Sequence, residues 1–310
     1  MTRPEPGGPP TGRQLILRSG AAEAVVCEVG ATIRRWRVGD HEVLMGFDGD
    51  RFATGGRQQV LAPWPNRVED GSYRFDGALH QLPIDEPDRH CAIHGLVRWS
   101  RFDVLEHQDA VARLGAWCPP RPGWPFSLWL EVAATLGEGS LCVEADAENV
   151  GTTALPFGIG FHPYFCVAER ADDASLRLGA SARLSLDERG LPRGVAELEG
   201  KWRSGAEAIG ADVLDDCAGP LDHDASGVAR AELTGPQGTV QLEVGPTFRW
   251  LQVFTADTLA EPDRRRAVAI EPMSCPPNAL RTGADLVRLE PGERWQGWWR
   301  ASFLPLASSR

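Results

Sequence analysis

The sequence predicts an all-β fold, a sandwich or barrel, on three observations. Short apolar–polar alternation recurs along the chain, turn residues punctuate it densely, and no segment carries a long helical period with caps at its ends. Residues 15–18 and 24–29 open the series of strands, and 102–105 and 128–132 continue it. Residues 141–148 alternate cleanly, as do 175–178. Residues 239–244, 250–254 and 295–299 close it. Asp70-Gly71, Asp76-Gly77, Asn149-Val150-Gly151, Gly235-Pro236-Gln237-Gly238 and Pro291-Gly292 mark turns, because these residue types tolerate or preset turn dihedrals. The stretch 259–267 is charged, short and interrupted by Pro262, so it is not read as a helix.

At 310 residues the chain is long enough to bury a large core without disulfide or metal staples. Residues 1–12, rich in Pro and Gly, read as a flexible tail, and 13–310 as one β domain with a less regular connection at 199–213. The formal net charge of -11 argues against nucleic acid or an anionic membrane surface as the main partner. No apolar run long enough for a membrane span occurs, and the N-terminus lacks a signal-peptide core. The 7 cysteines are odd in number, scattered and without a CxxC pair, which speaks against a disulfide framework or structural zinc. A cytoplasmic location is the simplest expectation. Lys201 is the sole lysine and thus the sole Schiff-base candidate.

Polar residues able to do chemistry cluster in segments where strands are expected to end. His162 sits in Gly158-Ile-Gly-Phe-His-Pro-Tyr-Phe, an aromatic setting in which a partly dry imidazole responds strongly to neighbouring charge. Its plain alternative is a packing histidine. Glu271 ends the apolar run 267–270 and precedes Pro272; a carboxylate there is costly unless paired or functional, and the plain alternative is a salt bridge to an arginine. Cys275 has no local histidine to activate it. His90 and His94 have i, i+4 spacing, which suits a metal only on a helix, and Gly95 argues against one. Asn66 and Arg67 lie in a Pro-rich turn, where a guanidinium beside an amide suits sugar hydroxyls. Trp64 reads equally as a sugar platform or as core.

Together these segments resemble the aldose 1-epimerase (galactose mutarotase) family. The resemblance rests on Asn66-Arg67-Val68 with Gly71, Tyr73 and Gly77; on His94-Gly95 with Trp99; on Gly160, His162, Tyr164 and Phe165; and on Glu271-Pro272, in the family's order over residues 15 to 305. It implies a large β-supersandwich with few short helices, a sugar held in an open cleft, and neither cofactor nor metal. It implies that His162 is the general acid at the ring oxygen and Glu271 the general base at the anomeric hydroxyl. It places Asn66, Arg67, His94, Tyr164, Asp215 and Gln252 among the substrate-binding residues, with Asp222 and Asp224 as alternatives to Asp215. Such chemistry needs Glu271 ionised and His162 protonated at rest. The implied partner is a small sugar, the chain a monomer or homodimer.

Many galactose-type members carry a Gly-Arg pair before Asn-Arg; Pro63-Trp64-Pro65 stands there in this chain and resembles a bacterial subgroup whose sugars are often unassigned, which leaves the sugar open. A charged hexose, phosphorylated or sulfonated, would need added cations, with Arg98 and Arg101 near His94 as candidates. A non-catalytic carbohydrate-binding protein on the same scaffold is the reading outside enzymes. A glycoside hydrolase would need two carboxylates rather than a Glu and a His.

Overall fold

The structure, a computed structural model, describes residues 7–198 and 200–306. It is about 48% strand and 5% helix. One eight-stranded antiparallel sheet runs, in spatial order, Asp103–His107, Val111–Cys118, Leu128–Leu136, Ser140–Asn149, Arg294–Pro305, Gly238–Val244, Ala229–Gly235 and Ser175–Leu178. In Ser140–Asn149 the period-2 pattern acts directly: Leu141, Val143, Ala145 and Ala147 are buried in the core, while Glu144, Asp146 and Glu148 face outward. The outward residues meet cross-strand partners, Glu148 with Arg294 at 2.6 Å and Asp146 with Gln296 at 2.6 Å. Such exposed pairs add little stability, and burial of the inner face determines the register.

The second eight-stranded sheet positions the site. Pro192–Glu197, Ala182–Leu186, Asp215–Ala218, Trp250–Phe254, Val268–Met273, Gly160–Phe161 and Val60–Leu61 follow in order, and Tyr164–Phe165 also pairs with Val268–Met273. Leu251, Val253, Val268, Ile270, Phe161 and Phe165 pack into the main core. Alternation therefore sends Gln252, Glu271, His162 and Tyr164 to the opposite face. That face is covered in its turn: all six residues of Val268–Met273 are buried. A four-stranded sheet, Gln14–Ser19, Ala22–Cys27, Ile33–Val38 and His41–Glu42, adds Leu15, Leu17, Ile33 and Trp36 to the same core.

Several strands lack a readable alternation. Val111–Cys118 is diluted by Ala112, Gly115 and Ala116, and Ile33–Val38 by three arginines. The connection at 199–213 contains the helix Lys201–Ser204, a single turn. Of the expected tail, residues 1–6 lie outside the described residues. Thr11 is already buried, and its carbonyl accepts the Val29 amide at 3.0 Å. Trp64 is 2% exposed and packs against Trp124, which makes it core rather than a sugar platform. Among the described residues no helix is long and apolar enough to cross a membrane.

Gly95 shows how tightly the turn behind the site is built. Its φ is +72°, and a Cβ there would lie 2.1 Å from the Ala62 carbonyl oxygen. Gly95→Ala should cost about 4 kcal/mol or prevent folding, because backbone must yield as well as φ. Gly77→Ala is the control: φ is +79° there, but nothing lies within 4 Å, so about 1 kcal/mol is expected. Urea midpoints of the two variants test the difference.

Candidate active site

His162 lies between two short strands that both pair with Val268–Met273. The Ile270 amide donates to the Pro163 carbonyl at 3.2 Å, which sets His162 beside Glu271. His162 Nε2 is 3.2 Å from Glu271 Oε1, and the two residues are 5% and 2% exposed. This contact, rather than an arginine, is the ion-pair contact of Glu271 among the described residues. Gln252 stands directly across from Glu271 in the strand register, and its Nε2 donates to Asp215 Oδ1 at 2.7 Å.

Arg67 reaches the same face from the strand Arg67–Glu69. It donates two hydrogen bonds to Glu86, at 2.8 and 3.0 Å, and its Nη1 is 3.9 Å from Asp215 Oδ2. Arg89 Nη2 approaches the same Asp215 oxygen at 3.9 Å. Asn66 has φ +53°, in the left-handed region that Asn tolerates, and its Oδ1 accepts the Arg67 amide at 2.8 Å. Its carbonyl accepts the His94 amide at 3.0 Å, so Asn66 joins the Arg67 strand to the His94 turn. The His94 ring stands edge-on to His162, centroids 5.4 Å apart.

The sequence-predicted residues thus largely converge. Tyr164 lies at 0% exposure behind His162, its hydroxyl donating to the Gly55 carbonyl at 2.6 Å. Asp215 is at the site, whereas Asp224 binds Arg230 and Ser226, and the Asp222 amide bonds Gly179. His90 and His94 diverge: His90 is exposed and meets Asp70 at 3.1 Å. Lys201 is tied to Asp212 at 2.7 Å and to the carbonyls of Ala208 and Ile209. Burial pushes the Cys275 thiol up to about 12, which removes it as a nucleophile. Arg98 donates to Asp85 at 2.8 Å, and Arg101 contacts Glu28.

Two residues escaped the sequence reading. Glu86 holds Arg67 only because Arg67–Glu69 pairs with Cys91–Ile93, and no local pattern couples positions 19 apart. Asn278 takes the Glu69 amide on its Oδ1 at 3.0 Å and gives its own amide to the Arg67 carbonyl at 2.7 Å. The Pro276-Pro277-Asn278 turn was the available signal.

The electrostatics differ from the expected resting state. Burial drives the His162 imidazolium down from 6.5 to about 3 and pushes the Glu271 carboxyl well up, aided by Asp215 and opposed by Arg67. Both shifts favour a neutral pair holding one proton on Glu271. His94 is held neutral by burial first, then by His162, Arg98 and Arg67. Glu271 Oε2, Gln252 Oε1 and the Nδ1 atoms of His94 and His162 are buried without a hydrogen-bond partner. Native structures rarely leave such groups unmet, so these four atoms are candidate contacts for water or a polar ligand.

Two large antiparallel sheets about one core, with a buried imidazole–carboxyl pair on the far face of one, define a fold of the galactose mutarotase-like class. The GalM/aldose epimerase homologue of C. elegans is similar with a TM-score of 0.82 at 15% identity, covering 95% of this chain and 99% of its own. A galactose 1-epimerase from Lactobacillus acidophilus NCFM is similar with a TM-score of 0.77 at 19% identity, covering 93% and 92%. In sequence, the uncharacterized protein YihR of Escherichia coli (strain K12) is 32% identical over 288 residues, 91% of each chain. The sequence matches the aldose 1-epimerase family over residues 13–302, and the chain belongs to that family.

Proposed function

We propose that this protein interconverts the α and β anomers of an aldohexose by acid–base ring opening and reclosure. The carrying observation is the buried His162–Glu271 pair, 3.2 Å apart and surrounded by unmet polar atoms. The anomeric oxygen and the ring oxygen share one carbon, so an acid and a base serving both must be close neighbours. Moving the pair's single proton from Glu271 to His162 creates the reactive state, and the Arg67 charge favours the ionised carboxylate. Glu271 takes the proton from the anomeric hydroxyl while His162 protonates the ring oxygen. The open chain rotates about C1–C2, and closure on the other carbonyl face uses the same groups in reversed roles. Arg67, His94, Asp215 and Gln252 hold the sugar hydroxyls.

Polarimetry on freshly dissolved α-glucose and α-galactose tests this reading. Glucose 6-phosphate and a sulfonated hexose belong in the same series, because the Arg98 charge acts on both His94 and His162. Acceleration by the wild type supports the proposal, and the fastest sugar defines the substrate. Binding without acceleration of any sugar would instead support a carbohydrate-binding protein.

A further inference from the structure

We propose that Tyr164, anchored to the Gly55–Gly56 turn, is a positioning residue that fixes the His162 ring so that Nε2 faces Glu271. Its ring stacks on the imidazole with centroids 4.9 Å apart and planes 7° from parallel. Its hydroxyl donates to the Gly55 carbonyl at 2.6 Å, which ties the stack to the turn. The next residue, Gly56, closes the edge of the imidazole. At φ +73° a Cβ on Gly56 would lie 2.6 Å from His162 Cδ2 and 3.0 Å from Nε2. The same segment grips the His162 backbone: the Gln58 amide donates to its carbonyl at 2.9 Å, and its amide donates to the Gln59 carbonyl at 3.2 Å.

The ring is thus flanked on one face by Tyr164, along its Cδ2 side by the Gly56 backbone, and across by His94. A flip or tilt of the imidazole would carry Nε2 away from Glu271, and packed second-layer groups are what prevent such drift. Burial keeps the Tyr164 hydroxyl protonated, so it remains a donor to Gly55. The phenol lies flat against the imidazole, its hydroxyl already engaged by Gly55.

The test uses Tyr164→Phe, Tyr164→Leu and Gly56→Ala in the full chain, with two readouts. Steady-state mutarotation, which rests on the proposed function, should show KM held. The kcat should fall about tenfold for Phe, the loss of one hydrogen bond. It should fall about 10²-fold for Leu and for Gly56→Ala, where the ring itself is displaced. The second readout, nitrogen NMR of the His162 imidazole, needs no turnover and stands if no sugar is turned over. A single sharp imidazole state in the wild type should broaden or split in the variants. A raised KM with kcat unchanged would put the phenol on the sugar and overturn the proposal. So would imidazole signals unmoved by all three substitutions. If Tyr164→Leu fails to fold, Tyr164→Phe carries the test, since it keeps the ring and removes only the bond to Gly55.

Discussion

Glu271→Gln should reduce mutarotation by about 10²- to 10⁴-fold while the fold survives, and the variant should gain stability over the wild type as pH rises. The activity loss follows from removing the proton acceptor without changing the shape of the side chain. The stability gain follows from linkage. In the folded chain Glu271 keeps its proton well above the ordinary 4.5, whereas in the unfolded chain it does not. Above about pH 4.5 the folded state therefore binds the extra proton, and its stability falls with rising pH until the folded carboxyl ionises. His162 acts on the other limb: its folded value of about 3 against 6.5 means stability falls as pH drops from 6.5 towards 3. Between 4.5 and 6.5 the unfolded pair carries one proton, on His162, and the folded pair also carries one, on Glu271. The pair's contribution is flat in that window and declines on both sides. Glutamine removes the alkaline decline, so urea midpoints of variant and wild type should diverge as pH rises above about 5. Midpoints that stay parallel would mean that Glu271 is ionised in the folded protein. Active sites commonly trade stability for chemistry in this way.

The site was more legible than the sheets that carry it, and the reason is physical. His162 and Glu271 stood out because one sits in an aromatic run and the other ends an apolar one, where a titratable group needs justification. The strand Leu141–Glu148 stood out because one face is apolar and the other carries carboxylates. Val111–Cys118 did not, because Ala112, Gly115 and Ala116 blur its alternation, and at Gly115 a Cβ would lie 2.5 Å from the Trp129 ring. Small residues that make room for a neighbouring indole carry no alternation of their own. Long-range partners were equally silent. Nothing near Glu86 announces that it will hold Arg67, and nothing near Tyr164 announces that its hydroxyl will be spent on Gly55. The resemblance set Tyr164 among the sugar contacts, and its stacking on the His162 ring emerges only in the folded chain. Pairing and burial are properties of the assembled sheet.

Among the residues proposed to hold the sugar, Arg67 should be the most sensitive to replacement, and the two obvious substitutions should fail differently. Arg67→Met leaves Glu86 without its two hydrogen bonds, leaves Asp215 to Arg89, and takes from Glu271 the positive charge that favours its ionised form. Breaking a buried pair costs several kcal/mol; here about 2–3 kcal/mol is expected, because the Glu86 side chain is 22% exposed and water relieves part of the loss. The remaining carboxylates push Glu271 further towards its protonated form, so the activity that survives should shift to higher pH. Arg67→Lys keeps the charge but not the planar fork. An ammonium that follows Glu86 has no second arm to hold towards Asp215, so KM should rise by about tenfold or more with a smaller loss of stability. The double variant Arg67→Met/Glu86→Gln completes the comparison. If Glu86 matters mainly as the holder of Arg67, the second change should recover much of the stability lost in Arg67→Met while kcat/KM stays low. Recovery of both would place the sugar elsewhere on the sheet, away from Arg67.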